Sequence, residues 1–170
     1  MPDPESVIRR LPRGAGVVYR AFGAPDAVER GRRLARLARS RGLLLLAGAD
    51  PRLAARIGAD GVHLPERDSR RAGGVKRARS DWIVTSAAHS AVAIVRARRA
   101  GADAVFVSPV FQSASPSAGR PLGPLRFARL ARGARLPVYA LGGIDVATAR
   151  RIAGSGAAGF AAVEALARHD

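Results

Sequence analysis

The sequence predicts an α/β fold around a parallel sheet, because short apolar runs alternate with helix-like stretches and one helix-to-strand joint recurs. The joint reads Gly-Ala-Asp at 58–60 and at 101–103, and it reads Gly-Ala-Ala at 156–158. Glycine suits the left-handed residue that ends a helix, and an apolar run follows each joint. Three copies of one joint indicate three copies of one strand–helix unit.

Seven apolar runs are predicted as strands. They are nearly continuous rather than alternating in polarity, which is typical of strands that are covered on both faces. The runs are Gly16–Arg20, Leu43–Ala47, Gly61–Leu64, Trp82–Ser86, Ala104–Ser108, Pro137–Leu141 and Gly159–Val163. Helices are predicted at about 26–41, 51–57, 89–100, 123–132 and 145–154. Residues 1–15, which contain three prolines, are predicted to be an irregular N-terminal segment.

The residues leave undecided whether the sheet is open or closed into a barrel. No G-x-G-x-x-G motif, which is typical of open dinucleotide-binding sheets, follows a strand. A closed barrel has eight strand–helix units and usually takes roughly 200 residues or more, whereas this chain has 170 residues and seven predicted strands. The pattern lacks a first strand and a last helix, and we expect an upstream segment or a partner chain to cover the gap.

Length and composition indicate a single domain over residues 1–170, and 48% of the residues are apolar, which is enough for a core. The chain has no cysteine, which excludes disulfides, thiol catalysis and a cysteine-based zinc site. No apolar run reaches the roughly 18 residues needed to span a membrane, and the N-terminal residues lack the apolar segment of a secretory signal. We therefore expect a cytoplasmic protein without a membrane partner.

The formal net charge is +16, and 28 of the 29 basic residues are arginines. Such a charge occurs in nucleic-acid-binding proteins. Here the arginines are spread over the predicted helices at helical spacing, aromatic residues make up only 5% of the chain, and there is no basic tail. The pattern favours a solvated, arginine-rich surface with weak, sequence-independent binding of polyanions, and a specific nucleic-acid partner is not expected.

Residues at the ends of the predicted strands are the candidates for a functional site, because ligands of parallel α/β folds bind at the carboxyl ends of the strands. Arg20 follows the first predicted strand and suits a phosphate group. Asp68 suits a hard cation such as magnesium. Gly142 and Gly143 offer backbone amides to an anion. The hydroxyl-rich loop 112–119 is long enough to act as a lid.

Two internal histidines are interpreted as structural. His63 lies within a predicted strand, and we expect it to be hydrogen bonded inside the sheet. His89 is predicted at the start of a helix. A lone histidine is a weak signal for a metal site.

Five segments carry a resemblance to a known family. They are GADGVHLPERD (58–68), VTSAAHS (84–90), GADAVFVSPVFQS (101–113), PVYALGGI (137–144) and GAAGFAAVEAL (156–166). In order and spacing the set resembles the thiamine phosphate synthase family, including its TenI-like thiazole tautomerase branch, over roughly residues 16–166. The resemblance implies a parallel (βα)8 TIM-type barrel, here shortened to seven strands. It also implies a magnesium-assisted transferase of thiamine biosynthesis, which joins a pyrimidine methyl diphosphate to a thiazole phosphate.

Carried over position by position, the resemblance implies a pyrimidine diphosphate subsite. Arg20 corresponds to an arginine that contacts the diphosphate, and Ser86 corresponds to a serine on the pyrimidine side. Asp68 corresponds to one of two aspartates that bind Mg²⁺. The position of the other aspartate is Ala49 here, and Asp50 beside it is the candidate replacement.

The resemblance also implies two phosphate-binding segments. Ser113 and Ser115 correspond to the two threonines of the lid, which grip a phosphate. Gly142 and Gly143 correspond to the amides that hold the thiazole phosphate. The substrates implied are therefore phosphorylated small molecules.

Several positions depart from the family pattern. Phe22 and Pro116 replace lysines, Ala49 replaces an aspartate, and Glu164 replaces a phosphate-binding serine. The tautomerase histidine corresponds to Pro109, which cannot transfer a proton. Besides a synthase, the sequence leaves open a non-catalytic member that binds a phosphorylated heterocycle and, less favoured, a polyanion-binding protein. The oligomeric state also stays open, a homo-oligomer included.

Overall fold

The computed structural model describes residues 3–113 and 119–163. Within them, seven parallel strands form one sheet, and each strand pairs with its neighbours along the chain. The strands are β1 (Gly16–Tyr19), β2 (Leu44–Gly48), β3 (Gly61–Leu64), β4 (Ile83–Ala88), β5 (Ala104–Val107), β6 (Val138–Ala140) and β7 (Gly159–Phe160). The predicted parallel α/β architecture with seven strands is confirmed.

Helices connect the strands, as expected of parallel strand–helix units. They are α1 (Pro4–Arg10), α2 (Ala27–Ser40), α3 (Pro51–Ile57), a 3₁₀ helix (Glu66–Arg71), α4 (Ala72–Ala78), α5 (Ala91–Arg99), α6 (Gly123–Gly133) and α7 (Val146–Arg150). None of the helices in the described ranges is long and apolar enough to cross a membrane.

The prediction that residues 1–15 are irregular is wrong where α1 forms. Oδ2 of Asp3 accepts a hydrogen bond from the Ser6 backbone N–H at 3.0 Å and so caps the helix. Pro4 lies in the first turn, where its missing N–H has no intrahelical partner to lose. Ile8 is 1% exposed and fixes the helix to the core. Proline therefore begins a helix here rather than preventing one.

The sequence analysis also missed the helical segment between β3 and β4. Within α4 only Ala72 and Val75 are buried, and Gly73 and Gly74 lower its intrinsic helix preference. Two buried positions give too short an apolar stripe for a clear helical period. The preceding 3₁₀ helix carries Asp68 directly after the carboxyl end of β3.

Glycines occupy left-handed positions at each recurrent joint. Gly58, Gly101 and Gly156 have φ angles of +70°, +89° and +88°. Gly58 is the residue at which α3 ends, with its N–H bonded back to the last turn. The interpretation as helix-ending residues is confirmed for Gly58 and for Gly101, which follows the C-cap Ala100 of α5, whereas Gly156 lies six residues beyond the end of α7.

The aspartates of the joint bind the preceding strand. Oδ2 of Asp60 accepts a hydrogen bond from the Leu45 backbone N–H at 2.8 Å. Oδ2 of Asp103 accepts from the Val84 backbone N–H at 2.7 Å, and Nζ of Lys76 lies 3.1 Å from both carboxylate oxygens of Asp103. Asp60 thus joins the start of β3 to β2, and Asp103 joins the start of β5 to β4.

Strand register sorts the side chains onto two faces of the sheet. Val62, Val84, Val105 and Val138 share the helix-facing side and are at most 1% exposed. They belong to the two buried clusters that join the sheet to its helices. The core therefore lies mainly between the sheet and the surrounding helices, as expected of a parallel sheet.

The opposite, inner face carries a row of rings. The ring centroids of His63 and Phe106 are 5.1 Å apart in an edge-to-face arrangement, and those of Phe106 and Tyr139 are 5.2 Å apart in a stacked one. Strands β1 and β7 are the two edges of the sheet. The carboxyl ends of the strands come together above the row of rings, which is where parallel folds place ligands.

Candidate active site

Arg20 lies at the carboxyl end of β1, on the inner face. Its guanidinium carbon is 4.9 Å from the centroid of the Phe22 ring, a cation–π distance. A Cβ at Gly48 would lie 2.9 Å from Cγ of Arg20, so the glycine in β2 gives the arginine side chain room to cross the neighbouring strand. Arg20 is exposed and has no carboxylate partner within the described ranges. It is therefore available to an anion.

His63 lies beside Arg20 on the inner face. Its Nδ1 is 2.9 Å from Oγ1 of Thr85 on the neighbouring strand. Burial of the ring, together with the charge of Arg20, lowers the pKa of His63 from 6.5 to about 4. The imidazole is therefore neutral near pH 7. The prediction of a hydrogen-bonded histidine inside the sheet is confirmed.

The Asp50 side chain is used by the backbone of α3. Its Oδ1 accepts hydrogen bonds from the Arg52 and Leu53 backbone N–H groups at 2.8 and 3.0 Å. Asp50 is thus the N-cap of α3. Asp68 is half-buried in the 3₁₀ helix, and its Oδ2 lies 3.8 Å from Nε of Arg67.

Asp50 and Asp68 do not by themselves form a metal-binding cluster in the described residues. Magnesium takes an octahedral set of oxygen ligands, usually one or two carboxylates with waters and substrate phosphates. Across residues 3–113 and 119–163, no group of three or more His, Asp or Glu residues could hold a metal ion. Asp50 is oriented by two backbone amides, and Asp68 has an arginine beside it.

Ser86 lies on the wrong face of β4 for the role that the resemblance implied. Its neighbour Thr85 faces the inner side and bonds His63, so Ser86 faces the helices. Ser86 is 0% exposed, and its hydroxyl donates to the Ala87 carbonyl oxygen at 3.1 Å. A substrate on the inner face cannot reach it without rearrangement of the core. The structure therefore gives Ser86 a packing role.

Gly142 and Gly143 are required by the close approach of another part of the chain. Their φ angles are +89° and +65°, a region that favours glycine. A Cβ at Gly142 would lie 2.8 Å from Cα of Pro109, and one at Gly143 would lie 2.8 Å from Cβ of Phe111. The segment after β5 thus packs directly on the glycine backbone.

The same glycine segment presents backbone amides without acceptors. The N–H groups of Gly142, Gly143 and Ile144 have no hydrogen-bond acceptor in the part of the chain that the structure describes. Their loop is fixed by Thr148, whose hydroxyl donates to the Gly143 carbonyl oxygen at 2.9 Å and whose backbone N–H donates to Asp145. Consecutive free amides in a fixed loop form a concavity that suits an anion.

The predicted lid is described only in part. Ser113 is half-buried and follows the segment that packs on the glycines. Ser115 and the substituted position Pro116 lie outside the described residues, as does Glu164. The predicted phosphate contacts of Ser113 and Ser115 stay predictions.

A cavity of about 250 Å³ lies at the carboxyl ends of β4 and β5, beside the lid. It is lined by His89, Ser108, Pro109, Gly119, Arg120 and Leu122. The sequence analysis did not assign a ligand contact to His89 or Arg120. Their positions just after β4 and just after the lid loop were the available signal. A larger cavity, of about 510 Å³, lies on the outer surface beside α5. It is away from the carboxyl ends of the strands, where parallel α/β folds bind their ligands.

Comparison with known proteins decides the family. A family model described as thiamine monophosphate synthase matches residues 5–166. The chain belongs to this family. The resemblance found in the sequence is therefore confirmed. The relatives compared below are members of the thiamine monophosphate synthase family.

Two relatives illustrate the extent of the likeness. The thiamine-phosphate synthase of Methylococcus capsulatus is 42% identical over 165 residues, which cover 90% of this chain and 70% of that protein. The thiamine biosynthesis bifunctional protein ThiM/ThiE of Symbiobacterium thermophilum is 35% identical over 143 residues, which cover 84% of this chain and 30% of that protein. The chain thus spans only part of the length of either relative.

A solved structure shows the same fold. The thiamine phosphate pyrophosphorylase from Pyrococcus furiosus matches with a TM-score of 0.82 and 25% identity, over 95% of this chain and 79% of that one. The seven parallel strands described here therefore belong to a TIM-like α/β fold.

Proposed function

We propose that the chain is a thiamine phosphate synthase-type transferase, which joins a pyrimidine methyl diphosphate to a thiazole phosphate and releases diphosphate. The observation that carries the proposal is that this member of the family has anion-binding groups at the carboxyl ends of its strands. Arg20, without an ion-pair partner in the described ranges, and the free amides at 142–144 occupy the carboxyl ends of the strands. The substrates are phosphorylated small molecules, and a cytoplasmic location is proposed with them.

The reaction suits a site that has few acids and bases. The bond between the pyrimidine methylene carbon and the diphosphate oxygen breaks, and its electron pair leaves with the diphosphate. The thiazole nitrogen then uses its own electron pair to form the new bond to the pyrimidine cation. Such a step depends on positioning and electrostatics rather than on proton transfer.

Three groups have roles in this scheme. Arg20 holds the diphosphate with its charged fork of donors. The amides of Gly142 and Gly143 hold the thiazole phosphate. His63 is neutral, because its pKa is about 4, so it adds no positive charge beside the pyrimidine cation. No step is routed through magnesium, and Mg²⁺ binding by Asp68 with Asp50 stays a prediction from the resemblance.

A second candidate is a member that binds the phosphorylated heterocycle without turnover. Phe22 favours it, because this residue replaces a family lysine and is 80% exposed under the Arg20 guanidinium. The loss of one charge-assisted contact removes roughly 1.5–3 kcal/mol of binding to a phosphate. A turnover assay and a binding assay together separate the two candidates.

The test mixes the purified full chain with both substrates and follows thiamine phosphate. We expect product, and we expect Arg20→Ala to lower kcat/KM by about 10- to 100-fold, since one charge-assisted contact is lost. Arg126→Ala, at an exposed arginine of α6, is the matched control and should leave kcat/KM unchanged. Binding of the thiazole phosphate without any product would favour the second candidate. A folded chain with neither binding nor product would overturn both.

A further inference from the structure

Two peptide groups of the loop after β6 are held by the backbone of the segment that follows β5. The Val110 N–H donates to the Leu141 carbonyl oxygen at 3.0 Å. The Phe111 N–H donates to the Gly142 carbonyl oxygen at 3.0 Å. In a planar trans peptide, the C=O and the N–H point in opposite directions. These two bonds therefore also fix the directions of the Gly142 and Gly143 N–H groups.

The next peptide group, between Gly143 and Ile144, is held by a side chain instead. Oγ1 of Thr148 donates to the Gly143 carbonyl oxygen at 2.9 Å. Because the peptide is planar, this contact sets the direction of the Ile144 N–H, which has no acceptor among the described residues. Glycine restricts its backbone angles less than any other residue. The Thr148 contact is therefore what limits rotation of this peptide group.

The Thr148 hydroxyl is itself fixed by Asp145. The Asp145 backbone N–H donates to Oγ1 at 2.8 Å, and the Thr148 backbone N–H donates to Oδ1 of Asp145 at 2.7 Å. Oδ1 of Asp145 also lies 2.9 Å from Oγ1, so the single hydroxyl proton is shared between this carboxylate and the Gly143 carbonyl oxygen. The reciprocal cap of α7 thus holds the half-buried Thr148 side chain in one position.

We propose that Thr148 is a positioning residue, which directs the Ile144 N–H towards the phosphate of the thiazole substrate. The assignment of that phosphate to the amides at 142–144 rests on the proposed function, whereas the tether rests on the hydrogen bonds of Thr148. An amide that already points at its anion binds it without a cost of reorientation. Thr148 acts through the peptide group rather than on the substrate itself. Because backbone contacts orient the other two amides, position 148 is where a substitution releases one amide alone.

Thr148→Val tests this role, because valine has a similar shape to threonine and lacks the hydroxyl. Calorimetry measures the Kd of the thiazole phosphate and of the thiazole alcohol that lacks the phosphate. We expect Thr148→Val to weaken binding of the phosphate by about tenfold, as for one charge-assisted hydrogen bond, and to leave binding of the alcohol unchanged. An equal loss for both compounds would contradict the proposal.

Three further variants make the calorimetry specific to the hydroxyl. Thr148→Ser retains the hydroxyl and should bind the phosphate as the wild type does. Thr148→Ala lacks the hydroxyl, has a higher helix preference, and should behave as Thr148→Val does. Ser40→Ala is the matched control, because the Ser40 hydroxyl donates to the Leu37 carbonyl oxygen at 2.9 Å at the end of α2. Its removal should change neither affinity.

Amide NMR of the nitrogen-labelled protein gives a readout that does not depend on turnover. In the wild type, the Gly142, Gly143 and Ile144 amide resonances should all shift when the thiazole phosphate is added. In Thr148→Val, the Ile144 shift should shrink while the two glycine shifts remain. An Ile144 amide that does not respond in the wild type, or that responds equally in the folded variants without the hydroxyl, would overturn the role of Thr148.

The turnover assay separates this proposal from the proposed function. Thr148→Val should raise the KM for the thiazole phosphate and leave the KM for the pyrimidine diphosphate unchanged. Product formation with an unchanged KM for the thiazole phosphate in both Thr148→Val and Thr148→Ala would leave the synthase standing and overturn the role of Thr148. An Ile144 response that depends on Thr148, in a chain without turnover, would do the reverse. A folded chain that does not bind the thiazole phosphate would overturn both.

Discussion

Nδ1 of His63 lies 2.9 Å from Oγ1 of Thr85, and this contact joins β3 to β4 on the inner face of the sheet. The imidazole beside the Arg20 side chain is neutral near pH 7, since burial and the arginine charge both lower the pKa of His63 to about 4. A positive charge on this ring is therefore disfavoured in the folded protein.

The depressed pKa of His63 predicts a loss of stability in acid. The unfolded histidine takes up a proton near pH 6.5, whereas the folded one does so only near pH 4. The stabilisation is complete above about pH 6.5 and falls as the pH is lowered towards 4, because only the unfolded state binds the proton in that window. Urea unfolding at pH 7.5, 5.5 and 4.5 measures it. His63→Gln should flatten this pH dependence, and parallel curves for the two proteins would contradict the prediction.

Removal of the Asp103 carboxylate should destabilise the protein, whereas removal of the Asp81 carboxylate should not. Asp103→Ala removes the acceptor of the Val84 N–H and the partner of Lys76, which should lower the free energy of unfolding by about 1–3 kcal/mol. Asp81→Ala is the matched control, because within the described ranges Asp81 pairs only with Arg79 and its side chain is 66% exposed. Its effect should stay within about 0.5 kcal/mol. Equal losses in chemical denaturation would argue against the role given to Asp103.

Substitution of Gly143 should destabilise the loop after β6. Gly143→Ala forces a side chain into the left-handed region and against Phe111, at an expected cost of about 2–4 kcal/mol. Gly133→Ala at the end of α6 is the control. It meets no atom within 4 Å and should change the free energy of unfolding by less than about 1 kcal/mol. Thermal denaturation of both variants measures the loss of stability. A Gly143→Ala protein as stable as the Gly133→Ala control would contradict the prediction.

Because Asp50 caps α3, its replacement by alanine should lower the free energy of unfolding more than its replacement by serine. Asp50→Ala should cost about 0.5–2 kcal/mol of unfolding free energy, because the Arg52 and Leu53 amides lose their acceptor. Asp50→Ser retains a capping oxygen and should remain close to the wild type. The measurement is urea unfolding without divalent cations. If serine were as damaging as alanine, the carboxylate would have a role beyond the cap.

The sequence predicted the strands well because each is a short, nearly continuous apolar run after a recognisable turn. The match extends to single residues at β3, predicted and observed as Gly61–Leu64, and β2 differs by one residue. The helix α1 was missed because the three prolines of residues 1–15 resemble helix breakers, although Pro4 lies in the first turn, where proline is tolerated. The buried Ile8 that stabilises it depends on contacts that are remote in sequence.

The site was predicted less completely, for geometric reasons. In a strand, a shift of one residue reverses the direction of the side chain, and this is why Ser86 faces the helices while Thr85 faces His63. His89 and Ser108 are 19 residues apart, so the bond that fixes the imidazole appears only when β4 and β5 lie side by side. Arg20 was found because it directly follows a strand.

The order of the strands in the sheet determines how the chain can assemble. Because every strand in the described ranges pairs only with the strands before and after it, each of these pairings closes a short loop and needs no distant segment. During synthesis, β1 and β2 can join before β3 is made, and each later unit adds to a sheet that already exists. The edge strand β7 has two residues, and Phe160 on it is 61% exposed. We therefore expect amide exchange to be fastest at this edge and to slow towards the middle of the sheet.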